Sequence, residues 1–118
     1  MKLKGHILII DDEASLRQTL ARILQRAGCE VTTAESAELA LSLIASTDYN
    51  LVYMDIRMPG MAGLEALKLI HAGHPDLAGV LFTAQPDLNS AVEALRLGAT
   101  DYLLKPLQPQ VLLERTEA

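Results

Sequence analysis

The sequence predicts an α/β domain: a parallel sheet with helices on both faces. Two observations carry this. Short apolar runs alternate with longer amphipathic segments five times along 118 residues, and strands joined by helical crossovers must lie parallel. Four of the runs also end in a reactive polar residue: HILII before Asp11 and Asp12, NLVYM before Asp55, GVLF before Thr83, and DYLL before Lys105. In open sheets of this doubly wound kind, ligands sit beyond the carboxyl ends of the strands, where all five of these residues fall.

Residues 6–10 form a continuous apolar run rich in Ile, too short for a helix. Residues 14–27 place Leu16, Leu20, Ile23, Leu24 and Ala27 on one helical face, with Arg17, Gln18, Arg22 and Gln25 opposite. Gly28 stops that helix. A weaker strand follows at 29–33, then a helix from Ser36 to Ser46 that buries Ala37, Ala40, Leu41 and Ile44. Leu51–Met54 is the third strand, and the helix at 63–71 turns Leu64, Leu67 and Ile70 inward. The fourth strand is Gly79–Phe82. A helix over 87–97 stops at Gly98, Tyr102–Leu104 is the fifth strand, and a short helix at 108–116 closes the pattern.

One hundred and eighteen residues fit a single domain, and half of them are apolar, enough for one core. Acids outnumber bases 15 to 10, so the chain lacks the basic footprint of a nucleic-acid binder. Cys29 is the only cysteine, which excludes an internal disulfide, fits a cytoplasmic setting and suits a buried thiol. No apolar stretch approaches a membrane span, and no signal-peptide core is present.

At the predicted strand ends, Asp11 or Asp12 alone would be read as a helix cap. A cap needs one acid, however, and Asp11, Asp12 and Glu13 repel one another unless a cation relieves them. Asp55 alone is explained by the Pro59-Gly60 turn that follows it. Beside Asp11 and Asp12 it completes a three-carboxylate set suited to Mg²⁺, which prefers oxygen ligands and keeps several waters. An ionised carboxylate there can attack a phosphoryl group and become an acyl phosphate. The Thr83 hydroxyl can donate to a phosphoryl oxygen. Lys105 would face the acids as a point charge instead of pointing to solvent. Pro106 fixes the turn after it, and the Lys105–Pro106 bond is a candidate for the cis form.

Together these motifs resemble the receiver domain of two-component response regulators over essentially all 118 residues. The Asp11-Asp12 pair, Asp55 with its Met58-Pro59-Gly60 turn, Thr83, Gly98-Ala99 and Lys105-Pro106 stand in that family's order and spacing. The resemblance implies a flavodoxin-like five-stranded sheet of order 2-1-3-4-5 with five helices. It implies phosphorylation of Asp55 by a sensor histidine kinase or phosphotransfer protein. The implied metal is Mg²⁺, with Mn²⁺ able to substitute, held by Asp12, Asp55 and the Arg57 carbonyl and by Asp11 directly or through water. Thr83 and Tyr102 occupy the family's switch positions.

The resemblance further implies an output domain or downstream partner reached through the face of the fourth helix, fifth strand and fifth helix, which also serves some relatives as a homodimer interface. Asp101 and Arg115 could make one of the charged pairs that zip that face in a DNA-binding subfamily, but Val111 stands where that subfamily carries an acid. Residues 1–118 are expected to be one receiver, the N-terminal module of a longer regulator.

Two departures concern tuning: Ala62 and Asn50 stand where the family often has acids. Arg57 and Gln85 are placed to flank the phosphoryl site. His71 and His74 are spaced for a metal but lack an acid or cysteine partner. Met54, Met58 and Met61 read as gap fillers. Two other functions are weighed. A haloacid-dehalogenase-type phosphatase needs an acid where Arg57 stands, and a degenerate receiver kept only for docking would usually have lost Asp12, Asp55 or Lys105.

Overall fold

The computed structural model describes residues 5–57, 63–85 and 87–117. Five strands alternate with five helices: β1 (His6–Ile10), α1 (Ala14–Arg26), β2 (Glu30–Ala34), α2 (Ala37–Ser46), β3 (Leu51–Asp55), α3 (Gly63–Gly73), β4 (Ala78–Thr83), α4 (Leu88–Arg96), β5 (Asp101–Leu104) and α5 (Pro109–Glu117). All strand pairs are parallel, in the order β2-β1-β3-β4-β5. The predicted doubly wound sheet and its strand order are both observed.

The central strands are covered on both sides, which is why they read as unbroken apolar runs instead of alternating ones. Leu8, Ile10, Val52, Met54 and Leu81 pack toward Ala37, Ala40 and Ile44 of α2, Ala66, Leu67 and Ile70 of α3, and Ala94 of α4. Ile7, Ile9, Leu51, Tyr53, Val80 and Phe82 pack toward Leu20, Ala21 and Leu24 of α1 and Leu112 of α5. Burying a side chain of this size stabilises the fold by roughly 1.5–3 kcal/mol. Cys29 is buried in the second layer, just ahead of β2.

Element bounds agree to within two residues; β2 starts and ends one residue later than predicted. It is an edge strand with an exposed–intermediate pattern, so its apolar signal is faint. Asp87 is the N-cap of α4, not its first residue; its side chain accepts from Ser90 N. Asn50, just before β3, accepts through Oδ1 from His6 N at 2.8 Å and ties the starts of β1 and β3 together.

Two glycines are required by geometry. Gly98, past the end of α4, has φ +99°, and a Cβ there would lie 2.8 Å from the His71 ring. Gly63, at the start of α3, leaves no room for a methyl group, because its Cβ would stand 2.6 Å from the Asp55 carbonyl oxygen and 2.7 Å from Ile56 Cα.

Candidate functional site

The carboxyl ends of β1, β3, β4 and β5 meet at one edge. Asp11 directly follows β1, and its backbone N donates to Ala34 O at 3.1 Å, so the residue is fixed by the sheet ladder. Its side chain is fully buried. Oδ1 accepts from Glu13 N at 2.8 Å, which supplies part of what a cap would at α1, where Glu13 caps with its backbone alone. Asp12 is exposed. Asp55 closes β3 and is 4% exposed; its Oδ1 accepts from Arg57 N at 3.0 Å.

Lys105 spans the two buried acids. Its Nζ donates to Asp55 Oδ2 at 2.9 Å and lies 3.0 Å from Asp11 Oδ2. The second contact lacks hydrogen-bond alignment, so the buried Asp11 Oδ2 has no aligned donor. It is an ion pair only. The ammonium also sits 5.3 Å from the Phe82 ring centroid. The Lys105–Pro106 bond is cis, and Lys105 N donates to Thr83 O at 2.9 Å, which anchors the lysine at the end of β4.

These contacts act on the charges in opposite senses. Burial raises the Asp11 pKa above its ordinary value, more than the Glu13 amide and Lys105 lower it, and the neighbouring Asp55 adds to the rise. Burial works against the Lys105 ammonium, but its hydrogen bond to Asp55 and its attraction to the Asp55 and Asp11 carboxylates outweigh that and leave its pKa raised.

Carboxylate oxygens of Asp11, Asp12 and Asp55 all lie within 4.8 Å of one another, and this is the one such metal-ligating cluster among the described residues. One ammonium against three carboxylates leaves an excess of negative charge, with a buried oxygen lacking a donor. An all-oxygen set of this kind fits a hard divalent cation such as Mg²⁺.

Beside the acids, Asp55, Arg57, Thr83, Ala84, Gln85 and Lys105 line a cleft of about 250 Å³. Thr83 is buried, and its Oγ1 accepts from Gln85 N at 3.1 Å. The structure therefore brings together Asp11, Asp12, Asp55, Thr83, Arg57 and Lys105. Tyr102 stands apart from the cleft. Its ring packs against the α2–α4 side of the core, and its buried hydroxyl has no hydrogen-bond partner among the described residues. Pro59 and Gly60, with Met58, Met61 and Ala62, lie outside the described residues. His71 and His74 are both exposed and belong to no ligand cluster.

Three supporting contacts escaped the sequence reading. Arg17, placed on the polar face of α1, is half-buried and donates from Nη1 to Asp11 O at 2.6 Å. Gly63 lets α3 approach the backbone of Asp55. Tyr53, fully buried two residues before Asp55, places its hydroxyl 3.1 Å from Leu112 O and 2.6 Å from Thr116 Oγ1, where its one proton can serve either oxygen. Arg17 and Gly63 each meet the backbone of another element, and the partners of Tyr53 lie 59 and 63 residues further along the chain. The one local signal was a glycine at the first position of a helix, where propensity disfavours it. Asp101 and Arg115 form an ion pair at 2.8 Å within one chain.

A family model described as the response regulator receiver domain matches residues 7–117. Response regulator protein FleR of Pseudomonas aeruginosa is 41% identical over 112 residues, covering 95% of this chain and 24% of FleR. Transcriptional regulatory protein FixJ of Bradyrhizobium diazoefficiens is 37% identical over 118 residues, covering 100% of this chain and 58% of FixJ. The crystal structure of a CheY-like receiver domain protein from Methanospirillum hungatei superposes with a TM-score of 0.92 at 34% identity, covering 96% of this chain and 90% of that one. This chain thus spans about a quarter to somewhat over half of the two curated relatives.

Proposed function

The chain belongs to the response regulator receiver family of two-component signalling, and from that premise we propose that it is a phosphorylation-dependent switch whose phosphoacceptor is Asp55. The observation that carries this reading is the Asp55 carboxylate itself. It is almost fully buried, held by Lys105 at 2.9 Å, and faces a cleft large enough for a phosphoryl group.

The donor is a sensor histidine kinase or a phosphotransfer protein. An Asp55 carboxylate oxygen forms the new bond to phosphorus while the bond from phosphorus to the donor histidine nitrogen breaks. Arg57 N and Lys105 orient the two carboxylate oxygens. Lys105 stands as a fixed positive charge beside the transferred group, where preorganised charge contributes most. Mg²⁺, or Mn²⁺ in its place, would be held by Asp11, Asp12, Asp55 and the Arg57 carbonyl, and would neutralise phosphoryl oxygens as a Lewis acid. Thr83 donates to a phosphoryl oxygen, and Tyr102 follows that movement. Its hydroxyl is buried without a partner among the described residues, an arrangement that costs roughly 1–3 kcal/mol and so favours a second position for the ring. Two arrangements close in energy make a switch.

The output surface is the face of α4, β5 and α5, where Leu88, Val92, Leu95 and Leu104 are exposed. We read residues 1–118 as one receiver, the N-terminal module of a longer cytoplasmic regulator, controlling an output domain or downstream partner through that face, with a homodimer as one way of using it. The domain is a signalling module and not an enzyme, assisting only its own phosphorylation and dephosphorylation. Neither nucleic acid nor membrane is a direct ligand in this reading.

The test is incubation with acetyl phosphate and Mg²⁺ read by intact mass, with Asp55→Asn in parallel. We expect one added phosphoryl group in the parent and none in the variant. No gain in either, with Mg²⁺ binding intact, would favour a docking scaffold. Multiple turnover of phosphate esters would favour the phosphatase reading.

A further inference from the structure

Arg57 occupies two places at once. The residue lines the cleft and donates its backbone N to Asp55 Oδ1, while its side chain reaches across to the loop before α4. There Nε and Nη2 each donate to Gln85 O at 3.3 Å, and Nη2 donates to Asp87 Oδ2 at 2.9 Å. Asp87 is the N-cap of α4. It accepts from Ser90 N at 2.8 Å through Oδ1 and from Ser90 Oγ at 2.8 Å through Oδ2. One guanidinium therefore joins the strand end that bears Asp55 to the first turn of the helix that bears Leu88, Val92 and Leu95. These three side chains stand at helical spacing and are 78%, 39% and 61% exposed.

We propose that Arg57 is a charge-exchange latch: it restrains the N-terminus of α4 through Asp87 while Asp55 is a free carboxylate, and moves to the phosphoryl oxygens once Asp55 is phosphorylated. The inference rests on Asp55 being the phosphoacceptor. Its energetic basis is the inequality of the two partners. The Arg57–Asp87 pair is half-exposed on both sides, with side chains 50% and 45% accessible, and pairs of that kind are weak. A phosphoryl group on Asp55 adds a charge and three acceptor oxygens inside the cleft that Arg57 already lines, and a guanidinium pairs with such oxygens through two parallel bonds. Arg57 would then be the second cation on the phosphoryl group beside Lys105. Asp87 would keep its cap on Ser90 N but lose the tie to the phosphoacceptor loop. The apolar stripe of α4 would gain freedom to move when the site is charged.

The test is amide exchange across residues 87–96 in the full chain, before and after acetyl phosphate with Mg²⁺, with phosphorylation scored separately by intact mass. Parent, Asp87→Asn and Arg57→Gln are compared. Asparagine keeps the capping oxygen and removes the charge. In the parent we expect first-turn amides of α4 to exchange about two- to five-fold faster on phosphorylation, the range an exposed ion pair supports. Both variants should show that faster exchange already without phosphate and gain little more. A parent that is phosphorylated by mass with α4 exchange unchanged overturns the latch, as does an Asp87→Asn that responds like the parent. Absence of phosphorylation by mass defeats the phosphoacceptor reading instead. In that case, unphosphorylated variants exchanging at the parent rate would also overturn the restraint on α4.

Discussion

Replacing Lys105 with Met tests the electrostatic account of the site most directly. Methionine keeps a long unbranched stem against Phe82 and removes only the ammonium. That ammonium lies 2.9 Å from Asp55 and 3.0 Å from Asp11, with only 16% of the Lys105 side chain exposed and the two acids buried. Removing one partner of a buried ion pair costs about 3–5 kcal/mol, because the other charge is left uncompensated. The exposed Asp12 and the open cleft admit water, so the lower end applies, and a loss of about 3 kcal/mol is expected in EDTA at neutral pH. That is a large share of the roughly 5–15 kcal/mol a domain of this size has.

Magnesium should return much of this loss. A cation at a hundredfold excess over its Kd stabilises the native state by about 2.7 kcal/mol, and the variant, with three uncompensated carboxylates, should bind it more tightly than the parent. Urea denaturation with and without Mg²⁺ measures both effects, provided the slope is unchanged. A variant within 1 kcal/mol of the parent in EDTA, or one that gains no more from Mg²⁺ than the parent does, would refute the reasoning.

Three further outcomes concern two supporting residues. Tyr53→Phe removes one buried hydroxyl, but Leu112 O keeps its bond from Thr116 Oγ1 at 2.7 Å, so the expected loss is about 1 kcal/mol by urea denaturation; a loss above about 3 kcal/mol would mean the hydroxyl holds more than these two contacts. Burial pushes the Tyr53 phenol up from 10.0 to about 12, with the Thr116 bond opposing. The native state therefore keeps a proton that the unfolded chain has lost, and stability falls as pH rises between those values. Tyr53→Phe should remove that part of the alkaline slope, and an identical slope would show the phenol is not its source. Gly63→Ala places a methyl against the backbone of Asp55 and Ile56, which cannot swing aside as a side chain would. We expect about 1–3 kcal/mol of destabilisation and slower gain of phosphoryl mass at Asp55. Parent values for both would show that the approach of α3 is slack.

The strands and the acidic cluster were legible in the sequence because both are written locally. A run such as HILII needs no partner to be recognised as a buried strand, and Asp11, Asp12, Asp55 and Lys105 follow such runs directly. Parallel connectivity then brings them to one edge with no further information. What could not be read depends on distance between elements. Arg17 looked like a solvent-facing residue, because helical periodicity says nothing of a guanidinium reaching back to the Asp11 carbonyl. Asp87 looked like part of a helix until its extended backbone showed it to be the cap. Tyr53 counted as core, with no hint that its hydroxyl crosses to α5, 59 residues further along the chain.

That last contact has a consequence for how the chain matures. β3 is the central strand of the sheet and carries the candidate acceptor, yet among the described residues the polar tip of Tyr53 is satisfied only by Leu112 and Thr116. During synthesis from the N-terminus, all five strands and four helices are made before either partner leaves the ribosome. Until then the phenol must stay hydrated or lie buried at a cost. A nascent chain lacking α5 therefore holds the acidic cluster in a sheet whose middle is not yet dry.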